Sequence, residues 1–158
     1  MSIKIKKEPL LNIYETSKEP TKEDFLISTS MHISDVQKGC AFIANKIIEA
    51  GINHDNTKMT AVDVNIFMEE RESGKLESNW LKSHRKNNRH HFHQLDNCPD
   101  DYNLIDVIEA LVDCTVAIKA RRGQTAKMSP DFISPELLAK AFKNTLEMLE
   151  NEIMVEDD

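Results

Sequence analysis

The residues of this chain best suited to chemistry are the run Asn53-His54-Asp55-Asn56-Thr57-Lys58. An imidazole beside a carboxylate offers a divalent metal one nitrogen and one oxygen ligand, and Lys58, three residues on, can hold a negative oxygen nearby. The competing use of Asp55 is as a helix cap, accepting from the free amides of the next helix. A second concentration is His84-Arg85-Lys86-Asn87-Asn88-Arg89-His90-His91-Phe92-His93, where four of the six histidines fall within ten residues. Three uses compete for it: a solvated basic face, a nucleic-acid contact, or a metal or substrate site in which His84, His90 and His91 are ligands and Arg85 or Arg89 holds an anionic group. The net charge of −7 and the single interleaved aromatic, Phe92, make nucleic acid the least favoured. Asp106, Glu109 and Asp113 form the third set; pairing with a neighbouring lysine or arginine is the alternative to metal binding for each.

The elements that would position these groups read as helices. Val36, Cys40, Ile43 and Ile47 recur at i, i+4, i+7 and i+11, which predicts a helix over about 31–50 with Gly51 as its stop. His32 lies one turn before Val36 on that stripe, either as a ligand or as a core histidine bonded to a carbonyl. Thr60 can cap a helix with Val62, Ile66 and Phe67 inward, ending near Ser73-Gly74, and a further helix from about Leu76 carries Trp80 and Leu81 into the histidine-rich run. After a loop at about 95–103, a helix over about 102–122 has Ile105, Ile108, Val112 and Val116 on its buried side. Asp106, Glu109 and Asp113 lie within about 60° of one another at its rim. Ser129-Pro130 and Ser134-Pro135 punctuate the next loop; Ser134 and Pro135 suit a cap and first helical position. The last helix shows Leu138, Phe142, Thr145 and Leu149 as its core stripe. No segment shows convincing period-two alternation. The expected fold is all-α, with about five or six helices in one domain at 25–158 and an N-terminal arm at 1–24.

Composition removes other classes. A chain of 158 residues, 40% hydrophobic and 30% charged, has the make-up of an ordinary globular domain. No apolar run is long enough for a bilayer and the N-terminus lacks a signal-like stretch, so no membrane partner and a cytoplasmic location are expected. Cys40, Cys98 and Cys114 form neither a C-x-x-C pair nor a disulfide framework. Four glycines without a Gly-rich phosphate loop exclude dinucleotide and P-loop binding.

Taken in order, His32, then His54-Asp55, then Asp106 or Asp113 in a helical chain resembles the HD-domain phosphohydrolases. Some members of that superfamily carry the His54-Asp55-x-x-Lys58 variant. The likeness is closer to an HD-like family of bacteria and tailed phages, through His32-x-x-x-Val36, Trp80-x-x-His84 with Asn88-Arg89-His90-His91, and Asp106-x-x-Glu109-x-x-x-Asp113. It covers about residues 31–122. The resemblance implies one or two divalent ions held by His32, His54, Asp55 and either Asp106 or Asp113. His84, Asn88, Arg89, His90 and His91 would bind substrate, or the histidines would complete a second metal site with Asp55 bridging. Mixed nitrogen and oxygen ligation favours Mn, Fe, Co or Zn over Mg. The implied reaction is hydrolysis of a phosphate ester of nucleotide type by metal-activated water, with Glu109 accepting the water proton and Lys58, Arg89 and the imidazoles offsetting charge. A phage-encoded member would act in the host cytoplasm, and a homo-oligomer stays open. The rival expectation is a non-catalytic metal-binding structural or interaction protein.

Overall fold

A computed structural model describes residues 2–6, 21–74, 79–94, 98–123 and 133–156. The fold is all-α apart from one short two-stranded sheet. Its order is β1 (Ile3–Lys6), α1 (Lys22–Asn53), α2 (Ala61–Glu72), α3 (Asn79–Asn87), α4 (Leu104–Arg122), α5 (Pro135–Glu152) and β2 (Ile153–Glu156), with 3-10 turns at Asn56–Met59 and Arg89–Gln94. No described helix is long and apolar enough to cross a membrane. The chain divides into two compact units, one of Met1–Lys46 with Leu146–Asp158 and one of Ile47–Thr145, so α1 and α5 each contribute to both.

In the first unit α1 begins at Lys22, about nine residues before the predicted start. Thr21 and Asp24 explain the difference: the Asp24 backbone N–H donates to Thr21 Oγ1 (3.2 Å) and the Thr21 N–H to Asp24 Oδ2 (2.9 Å), a reciprocal cap. Strands β1 and β2 pair in parallel from Ile3↔Ile153 to Lys6↔Glu156, a sheet the sequence reading did not expect. Ile3-Lys4-Ile5-Lys6 does alternate, but over only four residues. The Lys38 ammonium donates to the Lys4 carbonyl (3.0 Å), and Phe42, one turn on, is buried. The covered side of α1 therefore centres on Phe42; of the predicted stripe Val36 and Cys40 are exposed, while Ile43 and Ile47 are half-buried.

The second unit holds the main core, in which Phe92, Tyr102, Val107, Ala110 and Ala141 pack together with Leu104 and Leu137 against them. Phe92 stacks on Tyr102 at 4.7 Å, and the buried Tyr102 hydroxyl donates to the Leu137 carbonyl (2.8 Å). Thr145 accepts from the Leu104 N–H (2.9 Å), tying the start of α4 to α5. The α5 face used is thus Leu137, Ala141 and Thr145; of the predicted stripe Thr145 is buried and Leu149 half-buried, while Leu138 and Phe142 are exposed. On α4, Ile105 is buried as expected, but Val107 and Ala110 build the core and Val112 and Val116 are exposed. On α2, Val62 is exposed while Phe67 meets Trp80 edge-on at 4.9 Å. The expected stop near Ser73-Gly74 and the Ser134-Pro135 start are both present, Gly74 at φ 70 and Ser134 Oγ accepting from the Leu137 N–H. The expected punctuation at Ser129-Pro130 and the helix start near Leu76 lie outside the described residues.

Candidate metal centre

The elements around His54 and Asp55 are held by local devices. Gly51 does not stop α1, which continues through it to Asn53. The turn follows because Asp55 takes a left-handed conformation (φ 54, ψ 19), which aspartate tolerates better than most residues. Its side chain makes no cap, so the capping alternative for Asp55 does not apply. Helix α3 starts against α2 because both Glu70 oxygens accept from its first amides, Asn79 and Trp80, at 2.9 Å each. Trp80 stacks flat on His84 at 5.3 Å and fixes its ring. The chain then leaves the helix at Asn88, whose side-chain amide donates to the His84 carbonyl (2.7 Å) and to Thr57 Oγ1 (3.1 Å). That exit turns His90 and His91 back toward His84.

The result is a convergence of ligand atoms within the second unit. Two groups, Asp55 with His84, His90 and His91, and His54 with His90 and Asp113, each have their candidate atoms within 4.8 Å of one another. Asp55 Oδ1 faces His84 Nε2 (3.3 Å) and His90 Nε2 (3.6 Å); His91 Nε2 is 2.9 Å from His84 Nε2. Asp55 Oδ2 accepts from Lys58 and lies 3.4 Å from His54 Nε2, which is 3.5 Å from Asp113 Oδ1. Bonds of about 2.1 Å to one ion place neighbouring ligands about 3.0 Å apart in an octahedron and about 3.4 Å in a tetrahedron. The observed spacings match those edges. Asp55 Oδ1 and His90 Nε2 are moreover buried with no hydrogen-bond partner among the described residues. Such atoms are costly to bury unless something binds them, and a cation at their meeting point would bind both. The donor set therefore fits a divalent metal.

Electrostatics set the charge states of His84, His91 and Asp55. Burial pushes His84 and His91 below the ordinary imidazole range, His91 to about 3, so both are neutral at neutral pH. Burial alone would raise the Asp55 carboxyl; the Lys58 bond and charge outweigh it and hold it below the usual range. Glu109 Oε1 accepts from His54 Nδ1 (2.8 Å) and His90 Nδ1 (2.9 Å). Protons held at both Nδ1 atoms leave both Nε2 lone pairs bare toward the cluster.

Of the residues singled out in the sequence, His54, Asp55, His84, His90, His91 and Asp113 come together, with Lys58 and Glu109 bonded to members of the set. His32 is exposed on α1 in the first unit and belongs to neither group. Asp106 also belongs to neither: it is buried, accepts from the Asn103 N–H as part of the α4 capping box, and receives Arg89 Nε and Nη2 at 2.9 Å each. Arg89 spends its remaining donors on Asp101. The geometry makes this pair a structural clamp, not a substrate contact or a ligand. Arg89→Ala is expected to lower stability by about 2 kcal/mol, less than for a fully buried pair because the guanidinium is 44% exposed. The urea midpoint should fall while metal content per folded molecule stays unchanged; loss of metal with unaltered stability would contradict this role.

Two cavities border the cluster. One of about 680 Å³ is lined by Asp55, His84, His91 and Asp113, by Lys58, Arg71, Arg85 and Arg121, and by Phe67 and Trp80. These arginines, apart from Arg85, had no role in the sequence reading, because α2, α3 and α4 bring them together only in the fold. The other, of about 280 Å³, is apolar save for His54, Glu109 and Asp113. Comparison of the chain with protein-family models, with curated proteins and with solved structures found no match.

Proposed function

We propose that this chain is a metal-dependent phosphohydrolase that cleaves a phosphate ester of nucleotide type. The observation that carries the reading is the buried pair Asp55 Oδ1 and His90 Nε2, without a hydrogen-bond partner among the described residues, with Asp55 on the wall of a cavity ringed by Lys58 and three arginines. A structural metal site has no use for that excess of cations, whereas an anionic substrate does. One or two divalent ions, which Asp55, His84, His90 and His91 and the second group of His54, His90 and Asp113 would hold, would supply Lewis-acid polarisation and a water of lowered pKa. The chain does the rest. Lys58, anchored on Asp55, presents its ammonium to a phosphoryl oxygen, and Arg71, Arg85 and Arg121 attract and orient further negative charge. Phe67 and Trp80 line the same cavity and give it an apolar side for the base. Glu109 holds the His54 and His90 imidazoles in their donor tautomer, so it serves as a positioning residue and not as the acceptor of the water proton.

The test is elemental mass spectrometry of protein incubated with manganese and desalted, followed by phosphate release from a nucleotide set. One or two equivalents of metal, lost in His54→Ala, and metal-dependent phosphate release are expected. Lys58→Ala should keep its metal and fold while release falls by about 100-fold, the scale of one electrostatic contact to the transition state. Metal retained by the parent without hydrolysis of any phosphate ester would favour the structural, interaction-protein reading. Absence of metal would remove both.

A further inference from the structure

We infer that the apolar cavity between the end of α1 and α4 is a second specificity pocket, which receives an apolar arm of the substrate while the phosphoryl group sits at the metal cluster. The inference rests on the phosphohydrolase reading and adds to it the class of ester. His54 and Asp113, both in the candidate ligand set, form part of this cavity's wall, so a group bonded to phosphorus at the cluster can extend directly into it. The remaining surface comes chiefly from Ile47, Ile108, Val112 and Val116, and among the described residues no lysine or arginine lines it.

Two sequence choices there are not explained by packing among the described residues of the unit. Gly51 lies inside α1 at ordinary helical φ, and a Cβ built on it meets nothing within 4 Å. Neither backbone geometry nor a close neighbour requires glycine, which weakens a helix interior relative to alanine. Its effect is to leave space beside His54. Val112 and Val116 are 57% and 59% exposed on the opposite wall, although α4 buries other apolar residues thoroughly. A concave apolar surface with a few convergent polar groups at one end is the usual form of a small-molecule site. The cationic cavity on the other side of Asp113 is its chemical opposite. Two such cavities flanking one cluster suit an ester with one polar, anionic arm and one apolar arm, for example an aryl or branched alkyl group.

The experiment is calorimetric titration of the manganese-loaded full chain with methylphosphonate and phenylphosphonate, stable analogues that differ only in the arm. Phenylphosphonate is expected to bind at least about tenfold more tightly, since even one methylene in an apolar pocket is worth about that much. Gly51→Leu fills the space at a position where the backbone tolerates any side chain, and Val112→Asp puts a charge on the exposed wall. Each should bring phenylphosphonate down to the affinity of methylphosphonate. Equal binding of the two analogues by the parent would overturn the pocket while leaving the phosphohydrolase reading intact. A phenyl preference untouched by both variants would place the ring elsewhere, against Phe67 and Trp80, and would also overturn it. Failure of both analogues to bind would remove the reading and the pocket together.

Discussion

Asp55→Asn is expected to abolish metal retention and phosphate release while leaving the chain folded. One carboxylate touches both ligand groups: Oδ1 faces His84 and His90, and Oδ2 faces His54 while accepting from Lys58. An amide offers one weak oxygen and turns its NH2 toward an imidazole nitrogen, so affinity should fall by more than the roughly 10–100-fold typical of losing an orienting partner. Asparagine is the informative replacement because φ is 54 at this position. Asparagine enters the left-handed region readily, whereas alanine adds about 1 kcal/mol of backbone strain and would confuse folding with binding. The reading is thermal. At 100 times its dissociation constant, manganese stabilises the native state by about 2.7 kcal/mol. For a chain of this length that corresponds to a rise in Tm of about 5–10 °C. The parent should show the rise and Asp55→Asn should not; a variant with an undiminished metal-induced rise would sink the site.

Much of the cluster could be read from residue types, and much of the packing could not. His54, Asp55 and Asp113 were legible as ligands because metal ligands come from few residue types at short or helical spacing; the histidines at 84, 90 and 91 stood out too but were expected at substrate as much as at metal, and His32, expected as a ligand, belongs to neither group. Asp106 and Asp113 were indistinguishable in sequence, both acidic and both flanked by apolar residues. What separates them is that Asn103 caps α4 and Arg89 reaches Asp106 from seventeen residues away, so Asp106 is consumed at the helix start and Asp113 is not. The helix phases held only in part, with Ile105 and Thr145 buried as expected and Leu138, Phe142, Val112 and Val116 exposed, for a related reason. On α5 the side chains Leu137, Ala141 and Thr145 face the core because small Ala141 lies in the cluster with Tyr102 and the Tyr102 hydroxyl bonds Leu137, a choice between adjacent stripes that hydrophobicity alone does not make. On α4, Val112 and Val116 read as core because they are apolar and correctly spaced, yet they line an open cavity. Periodicity reports that a face is apolar, not what covers it. Thr21 and Asp24 did carry a readable signal, a capping box, within a stretch that looks like a polar linker.

Glu109→Gln is expected to weaken metal binding about 10–100-fold without unfolding the chain. A single oxygen, Oε1, accepts from His54 Nδ1 and His90 Nδ1, so one side chain sets the tautomer of two candidate ligands. Burial alone would raise the Glu109 carboxyl, but the bonds from His90 and His54 prevail and hold it below the ordinary range; it is therefore a carboxylate at neutral pH. That charge holds both protons at Nδ1 and leaves Nε2, the atom turned toward the cluster, free to bind. Glutamine removes the charge and offers a neutral oxygen in its place, and if the amide turns, its NH2 faces an imidazole N–H and drives the proton to Nε2. Manganese affinity, measured by competition with a chelator, separates this role from the one suggested by sequence. A group that only accepted the water proton would leave metal affinity unchanged and lower kcat at saturating metal. A positioning group lowers the affinity, and turnover recovers substantially when metal is raised. Glu109→Asp, which keeps the charge but withdraws it by one methylene, should fall between the parent and Glu109→Gln in affinity.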